Sequence, residues 1–326
     1  MTPFPSVLES VEDLSIEQIE TLLTLSAHIE RDNLHLTTQN SLKAPTVYTL
    51  FFENSTRTKL SFATSAQKLG AHYLDFPIQT SSVKKGENIE ETLLTLKAQG
   101  AELCVIRTSE NEFFKNFKEN PPLKLINGGD GINEHPTQAL LDLYQLTKFF
   151  GDLKLLRGKT IGIAGDIIHS RVAHSLLKLL PKFGLNICLF GPDYFLPKEK
   201  GLFQIANNKT EFLKQSDIIY LLRIQFERLN LPEQKITEIK NHYPTEYGFS
   251  LQDAKNHERF FMHPGPVNIG MEIAPELLKS QYYLGHQQVE SSIPVRMAIL
   301  LSVLNNQDSR FNKKGKNATA INYSIQ

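Results

Sequence analysis

The sequence predicts an α/β protein of two domains, each a parallel β-sheet flanked by helices. Three observations predict it. Strand-like and helix-like segments alternate from Val47 to Phe150, the order that builds parallel sheets. A second alternating series starts at TIGIAGD (Thr160 to Asp166), beyond the boundary segment GDLKLLRGK (Gly151 to Lys159). The length of 326 residues suits about two domains.

Bulk composition narrows the function. Hydrophobic residues make up 40% without counting the 18 glycines, enough for a normal core. Lys+Arg and Asp+Glu are 35 each, so the formal net charge is zero. That argues against a nucleic-acid surface and leaves room for a local basic pocket. Cys104 and Cys188 lie in apolar runs (AELCVIR, LNICLF) and read as small buried hydrophobes, not as a disulfide or a metal site. The N-terminus MTPFPSVLESVEDLS lacks the basic flank and apolar core of a signal peptide. No run approaches the ~20 apolar residues of a membrane span. The default expectation is a soluble cytoplasmic protein.

The elements follow in order. Ser15 to Asn33 opens on the capping-box pair Ser15 and Gln18 and carries Ile19, Leu22, Leu23 and Leu25, which predicts a helix. Val47 to Leu69 (VYTLFFENSTRTKLSFATSAQKL) begins with β-branched and aromatic residues, the composition of a buried strand. It ends with Phe62, Ala66 and Leu69 on one side and Leu60, Ala63 and Gln67 on the other, which is helical spacing. HYLDF predicts a short strand. Thr80 to Glu87 is small, polar and basic without a period, hence a loop. A helix is expected at Asn88 to Gln99, a strand at Glu102 to Arg107, a helix near Asn111 to Lys118 and a strand at Lys124 to Asn127. The turn Gly128-Gly129-Asp130-Gly131 leads to EHPTQALLDLYQLTKFFG, where Ala139, Leu143, Leu146 and Phe150 form one face of an amphipathic helix.

In the second half, TIGIAGD, LNICLFG, SDIIYLL and FFMHPGP predict strands. Helices are expected at Ser170 to Phe183 and near Gly201 to Asn207. Asn230 to Glu246 is polar and weakly patterned, a loop with a short helix. SSIPVRMAILLSVLNN carries Met297, Leu300, Leu301 and Leu304 on one face, and Ser292 with Pro294 suits a helix start. The chain after Asn305 reads as a frayed end.

Ligands of open parallel sheets sit at the carboxyl ends of strands. The polar residues that directly follow predicted strands are therefore the candidates: Ser55-Thr56-Arg57-Thr58, Arg107-Thr108, His135-Pro136-Thr137-Gln138, Asp166 to Arg171, Arg223-Ile224-Gln225 and His263-Pro264-Gly265-Pro266. The set has no cluster of carboxylates, no nucleophile paired to a base and no metal-ligand spacing. It describes a cationic pocket for small polyanions, working by positioning and charge neutralisation. At Ser55 to Thr58 a strand hands over to a helix, where unpaired N–H groups and the positive end of the macrodipole favour an oxyanion such as phosphate. Ser and Thr are equally ordinary N-caps, and an Arg in a first turn is often only solvated. The tetrapeptide alone leaves both readings open. TIGIAGD lacks the G-x-G-x-x-G spacing, which weighs against a nicotinamide site. His72, His174, His242 and His286 read as surface or locally bonded side chains.

Five motifs in register, FFENSTRTKLSF, GDGINEHPTQALLDLY, GDIIHSRVAHS, LLRIQFER and MHPGPVNIGMEI, resemble the catalytic chains of the aspartate carbamoyltransferase family. The resemblance runs from about residue 4 to residue 305. It implies transfer of a carbamoyl group from carbamoyl phosphate to the α-amino group of L-aspartate in pyrimidine synthesis, with no metal or organic cofactor. It implies a carbamoyl-phosphate-binding domain over 1–150, completed by a C-terminal helix over 291–305, an aspartate-binding domain over 151–290, a tail over 306–326, and an active site in the cleft between the domains. Ser55, Thr56, Arg57 and Thr58 would hold the phosphate, and Arg57 would neutralise it as it leaves. Thr58, Arg107 and His135 would polarise the carbonyl oxygen, and Gln138 would receive the carbamoyl NH₂. Arg171 and Arg223 would bind the two carboxylates of aspartate with help from Gln225, and Pro264, Gly265 and Pro266 would line the site. Ser82 and Lys85 would reach into a neighbouring subunit's site, because the family is a trimer with shared active sites. A regulatory chain or a dihydroorotase is a candidate associate of that trimer; no nucleic acid or membrane partner is implied.

The sequence departs from the family's pattern at Ile269, where many relatives carry arginine, and at Thr108, where many carry histidine. A rival within the superfamily takes ornithine as acceptor, and that branch typically shows a cysteine in place of the His263 to Pro266 loop. A rival of another class is a catalytically dead subunit that binds carbamoyl phosphate or serves as a scaffold, which the full set of ligands disfavours.

Overall fold

The computed structural model describes residues 3–32, 44–78, 81, 86–229 and 231–306. They divide into two compact units, one within Met1–Gly131 and Ser292–Gln326 and the other Ile132–Ser291. No described helix is long and apolar enough to cross a membrane.

The first unit is built on β1 (Val7–Leu8), β2 (Thr46–Phe51), β3 (His72–Asp75), β4 (Ala101–Thr108) and β5 (Lys124–Asp130). All pair in parallel, in the order β1-β5-β4-β2-β3. Leu103 to Ile106 of β4 are fully buried, as the middle of a parallel sheet covered on both faces requires. The helices are α1 (Ile16–Arg31), α2 (Thr56–Lys68) and α3 (Ile89–Ala98). Ser15 and Gln18 close the capping box of α1, the Gln18 N–H donating to Ser15 Oγ at 3.1 Å. On α2 the predicted apolar face turns inward: Phe62 and Ala66 are fully buried, and Leu60 is 61% exposed.

Three details of this unit differ from the sequence reading. The two-residue strand β1 was not predicted, since so short a run carries no period. The helix expected near Asn111 is a five-residue 3₁₀ turn, Phe113–Phe117, entered through the left-handed Glu112. It is held by burial of Phe113, Phe114 and Phe117. The glycine-rich turn is partly strand, because β5 runs on to Asp130.

The second unit carries β6 (Thr160–Ala164), β7 (Asn186–Phe190), β8 (Gln204–Ile205), β9 (Ile218–Leu221) and β10 (Phe261–Met262), again all parallel, in the order β10-β9-β6-β7-β8. Cys188 and Cys104 are free and buried, one in each sheet. The helices are α4 (Pro136–Phe150), α5 (Arg171–Leu179), α6 (Lys209–Gln215), α7 (Glu233–Glu246), α8 (Leu251–His257), α9 (Pro275–Leu278) and α10 (Gly285–Leu304). The division between the units falls inside α10, between Ser291 and Ser292. Beyond that point α10 belongs to the first unit, where the Lys124 ammonium donates to the Leu304 carbonyl at 2.6 Å.

Several expectations are corrected here. The helix near Gly201 is instead the strand β8, paired to β7 through Cys188 and Gln204, and the helix starts later, capped by Asn208. The helix expected within the loop over 230–246 is longer than the short one read there: α7 takes 14 residues of it. It buries only Ile239 and Tyr243, a stripe too narrow to register as a pattern. The helix expected to run through Phe183 ends at Leu179 and tightens into a 3₁₀ turn, Leu180–Phe183. Helix α10 begins at Gly285, so Pro294 lies inside it. Finally, α4 is not amphipathic over its first three turns, since every residue from Pro136 to Leu146 is buried.

Candidate active site

Parallel register decides which side chains meet. In the first unit Phe51 pairs with Arg107, so the ends of β2 and β4 lie side by side at one edge of the sheet. The Phe52 N–H donates to the Arg107 carbonyl at 2.8 Å, carrying that alignment one residue further. The chain leaving β2 enters α2 at once, which brings Ser55 to Thr58 to the same edge as Arg107. Ser55 takes the N-cap position of α2, but its side chain makes no capping hydrogen bond. Ser15, Asn88, Ser170, Asn208 and Ser250 all do cap their helices. The plain capping reading of Ser55 therefore fails. Thr56 and Arg57 are exposed, and Thr58 is buried.

This turn is braced from below. Ser61 Oγ donates to the carbonyls of Arg57 at 2.8 Å and Thr58 at 3.0 Å. The buried Arg296 guanidinium of α10 donates to Ser61 Oγ and lies 5.0 Å from the centre of the Phe62 ring. Arg107 is nearly buried, with Nε 3.4 Å from Glu53 Oε2 and Nη1 donating to the Gly128 carbonyl at 3.3 Å. A planar guanidinium held at two points keeps one orientation.

In the second unit, Ala164 of β6 pairs with Leu221 of β9, and Met262 of β10 pairs with Tyr220 of β9. Three neighbouring strands thus release their chains at one edge. From β6 come Asp166 and Arg171, from β9 come Arg223 and Gln225, and from β10 comes the loop His263 to Pro266. Gly165 makes this possible. Its φ is +123°, and a Cβ there would sit 2.4 Å from the Leu222 carbonyl oxygen. Arg171 is the first residue of α5 and is 7% exposed. Gln225 is oriented by its Nε2, which donates to the His169 carbonyl at 2.7 Å. The loop after β10 is closed by the Gly265 N–H donating to His263 Nδ1 at 2.8 Å, with a cis peptide between Gly265 and Pro266.

His135 stands at the entry of α4, with Pro136 as the first helical residue. Its N–H donates to Ser175 Oγ at 2.9 Å. Ser175 in turn donates to Glu134 Oε2 at 2.9 Å, and Lys178 donates to Glu134 Oε1 at 2.7 Å. Gln138, one turn along, donates to Asp142 Oδ1 at 3.1 Å. Burial, and then the charge of Asp142, push the Tyr220 hydroxyl well above its ordinary pKa. Ser82 and Lys85 lie outside the described residues.

Residues 7–148 match the aspartate/ornithine carbamoyltransferase carbamoyl-P binding domain, and residues 157–303 match the Asp/Orn binding domain of the same family. The chain belongs to the aspartate/ornithine carbamoyltransferase family. It is 39% identical to the aspartate carbamoyltransferase catalytic subunit of Malacoplasma penetrans over 297 residues, 90% of this chain and 94% of that protein. Against the catalytic subunit from Limosilactobacillus reuteri it is 39% identical over 262 residues, 79% of this chain and 84% of the other. Its structure is similar to that of aspartate transcarbamoylase from Trypanosoma cruzi in complex with carbamoyl phosphate and aspartate. The TM-score is 0.80 at 26% identity, covering 92% of this chain and 98% of that one.

Among the residues that depart from the aspartate carbamoyltransferase pattern, Ile269 is 64% exposed and Thr108 is buried at the end of β4. The sequence reading missed the supports of the site: Asp142, Tyr220, Gln288, Arg296 and the Glu134–Ser175 pair. Of these only Asp142 left a signal, a polar residue one helical turn after Gln138 in a largely apolar segment.

Proposed function

We propose that this chain transfers the carbamoyl group of carbamoyl phosphate to the α-amino group of L-aspartate, giving N-carbamoyl-L-aspartate and phosphate for de novo pyrimidine (UMP) biosynthesis. The observation that carries it is the edge of the second sheet, where Arg171 and Arg223 leave neighbouring strands beside a His-Pro-Gly-Pro loop that contains no cysteine. Two guanidiniums suit the two carboxylates of aspartate; the cationic side chain of ornithine would be repelled. The relatives named aspartate carbamoyltransferase favour the same acceptor.

In this reading the amine attacks the carbonyl carbon, a tetrahedral oxyanion forms and phosphate leaves. Ser55, Thr56, Arg57 and Thr58 hold the phosphate, and the exposed Arg57 offsets its charge at departure. Thr58, Arg107 and His135 donate to the developing oxyanion. Gln138 accepts from the carbamoyl NH₂. Arg171, Arg223 and Gln225 bind aspartate, and Pro264, Gly265 and Pro266 line its site. Ser82 and Lys85 act from a neighbouring chain of a homotrimer, and the enzyme works in the cytoplasm. Whether a regulatory chain or a dihydroorotase joins the trimer is answered by co-purification.

The test is a colorimetric assay with each acceptor. Carbamoyl-aspartate formation from carbamoyl phosphate, with carbamoyl-ornithine near background, is the expected result. Product from ornithine alone, or from neither acceptor, overturns the reading.

A further inference from the structure

Asp142 lies one turn after Gln138 on α4 and is fully buried. Its Oδ1 accepts from Gln138 Nε2 at 3.1 Å and from Gln288 Nε2 at 2.8 Å, and its Oδ2 accepts from the Tyr220 hydroxyl at 2.6 Å. Gln288, from the start of α10, uses its other end as well: Oε1 accepts from the His263 N–H at 2.7 Å. One carboxylate therefore joins α4, β9, α10 and the loop after β10.

The two ends of a glutamine amide have nearly the same shape, so partners decide which way it lies. At Gln288 both partners agree, because a backbone N–H must meet oxygen and a carboxylate must meet nitrogen. At Gln138 the decision falls to Asp142, because its other partner, the Tyr220 hydroxyl, can donate or accept. Turned the other way, the Gln138 carbonyl would face a carboxylate oxygen across about 3 Å, two acceptors without a proton between them. Asp142 thus draws Nε2 to itself and leaves Oε1 as the end that meets a ligand. A carbonyl oxygen accepts from an amide NH₂ and finds no partner in a methyl group of the same size.

We infer that Asp142 is a positioning residue that sets the acceptor polarity of Gln138 and so selects a carbamoyl donor over an isosteric acyl phosphate. The inference rests on the proposed reading that Gln138 faces the carbamoyl NH₂. Leucine at position 142 keeps the shape of the side chain and offers Gln138 no acceptor, which lets the Gln138 amide turn over; asparagine would not, because Gln288 Nε2, held by the His263 N–H, keeps an oxygen at the Oδ1 position. Sites built to bond a polar group reject analogues that lack it, and that rejection disappears with the bond.

The experiment measures phosphate release in the presence of aspartate, with carbamoyl phosphate and with acetyl phosphate, for the full chain and for Asp142→Leu, Gln138→Leu and the double variant. Each is first checked for a cooperative melt. The expected result is that Asp142→Leu lowers the carbamoyl-over-acetyl preference at least about tenfold, mainly through KM for carbamoyl phosphate. Gln138→Leu should do the same, and Asp142→Leu should add less than twofold in the Gln138→Leu background, since it acts through that side chain. An unchanged preference in a folded Asp142→Leu protein overturns the inference, as does full additivity in the double variant. If Asp142→Leu does not fold, Gln138→Leu decides: a preference like that of the parent overturns the acceptor role on which the inference rests. Failure of the proposed function is distinguishable, because the unaltered chain would then make no carbamoyl-aspartate at all.

Discussion

Asp166 Oδ1 lies 2.7 Å from His169 Nδ1 in the turn that joins β6 to α5. The same carboxylate accepts from the Gln225 N–H at 3.4 Å, and the His169 carbonyl accepts from Gln225 Nε2 at 2.7 Å. One buried acid therefore ties the turn ahead of Arg171 to the chain that carries Arg223. Burial raises the Asp166 carboxyl above its ordinary pKa, against the opposing pull of His169. A carboxyl raised on folding binds its proton more tightly folded than unfolded. Its contribution is fully present below the ordinary carboxylate pKa and is lost as pH rises through the raised value. We expect unfolding free energy to fall more steeply with pH for the parent than for Asp166→Asn, starting from about pH 4. Parallel curves from denaturant titrations would remove Asp166 from the account.

Arg57 is exposed, so little of the fold depends on it. Its proposed work is to stabilise the charge that develops on the departing phosphate. Arg57→Ala should lower kcat by at least about a hundredfold with an unchanged melting temperature. Near-normal turnover would assign that charge to another group.

Arg223 follows β9 and is proposed to take one carboxylate of aspartate. A charge-assisted bond to a carboxylate contributes about 1.5–3 kcal/mol. Arg223→Ala should therefore raise the aspartate KM at least about tenfold and leave the KM for carbamoyl phosphate within about twofold. The opposite split in steady-state kinetics would move the acceptor site elsewhere.

Gly165→Ala places a methyl group 2.4 Å from the Leu222 carbonyl oxygen at a backbone angle of φ +123°. The nearest neighbour is a backbone carbonyl and has little room to yield. A loss of about 2–4 kcal/mol in a urea titration is expected. A loss under about 0.5 kcal/mol, the range of ordinary surface changes, would show that the β6 and β9 ends are not held together as described.

The two thiols should be silent. Burial raises both, Cys188 to about 11 and Cys104 further. The native protein should take up no aromatic disulfide reagent at pH 8, and both thiols should react after unfolding. A fast native reaction at either would contradict the burial of that strand.

Period and local chemistry determined most of the framework. The run Val47 to Leu50, the 62/66/69 face of α2 and the Ser15 capping box each depend on neighbours within a turn or a strand, so they could be read before any tertiary contact was known. The candidates at strand ends were also legible, because a parallel sheet puts every carboxyl end at one edge. What depended on distant partners was not. The helix α7 is held by two buried residues in a polar segment, and β8 is a strand only because β7 offers it a ladder. The even burial of α4 turned Gln138 and Asp142 from the polar side of an amphipathic helix into a buried pair. Tyr220 and Gln288 lie 78 and 146 residues away from Asp142 in the chain, yet both bond to it. A sequence records which groups can make hydrogen bonds. Only the packed structure decides which of them must, because burial removes the water that would otherwise serve as partner.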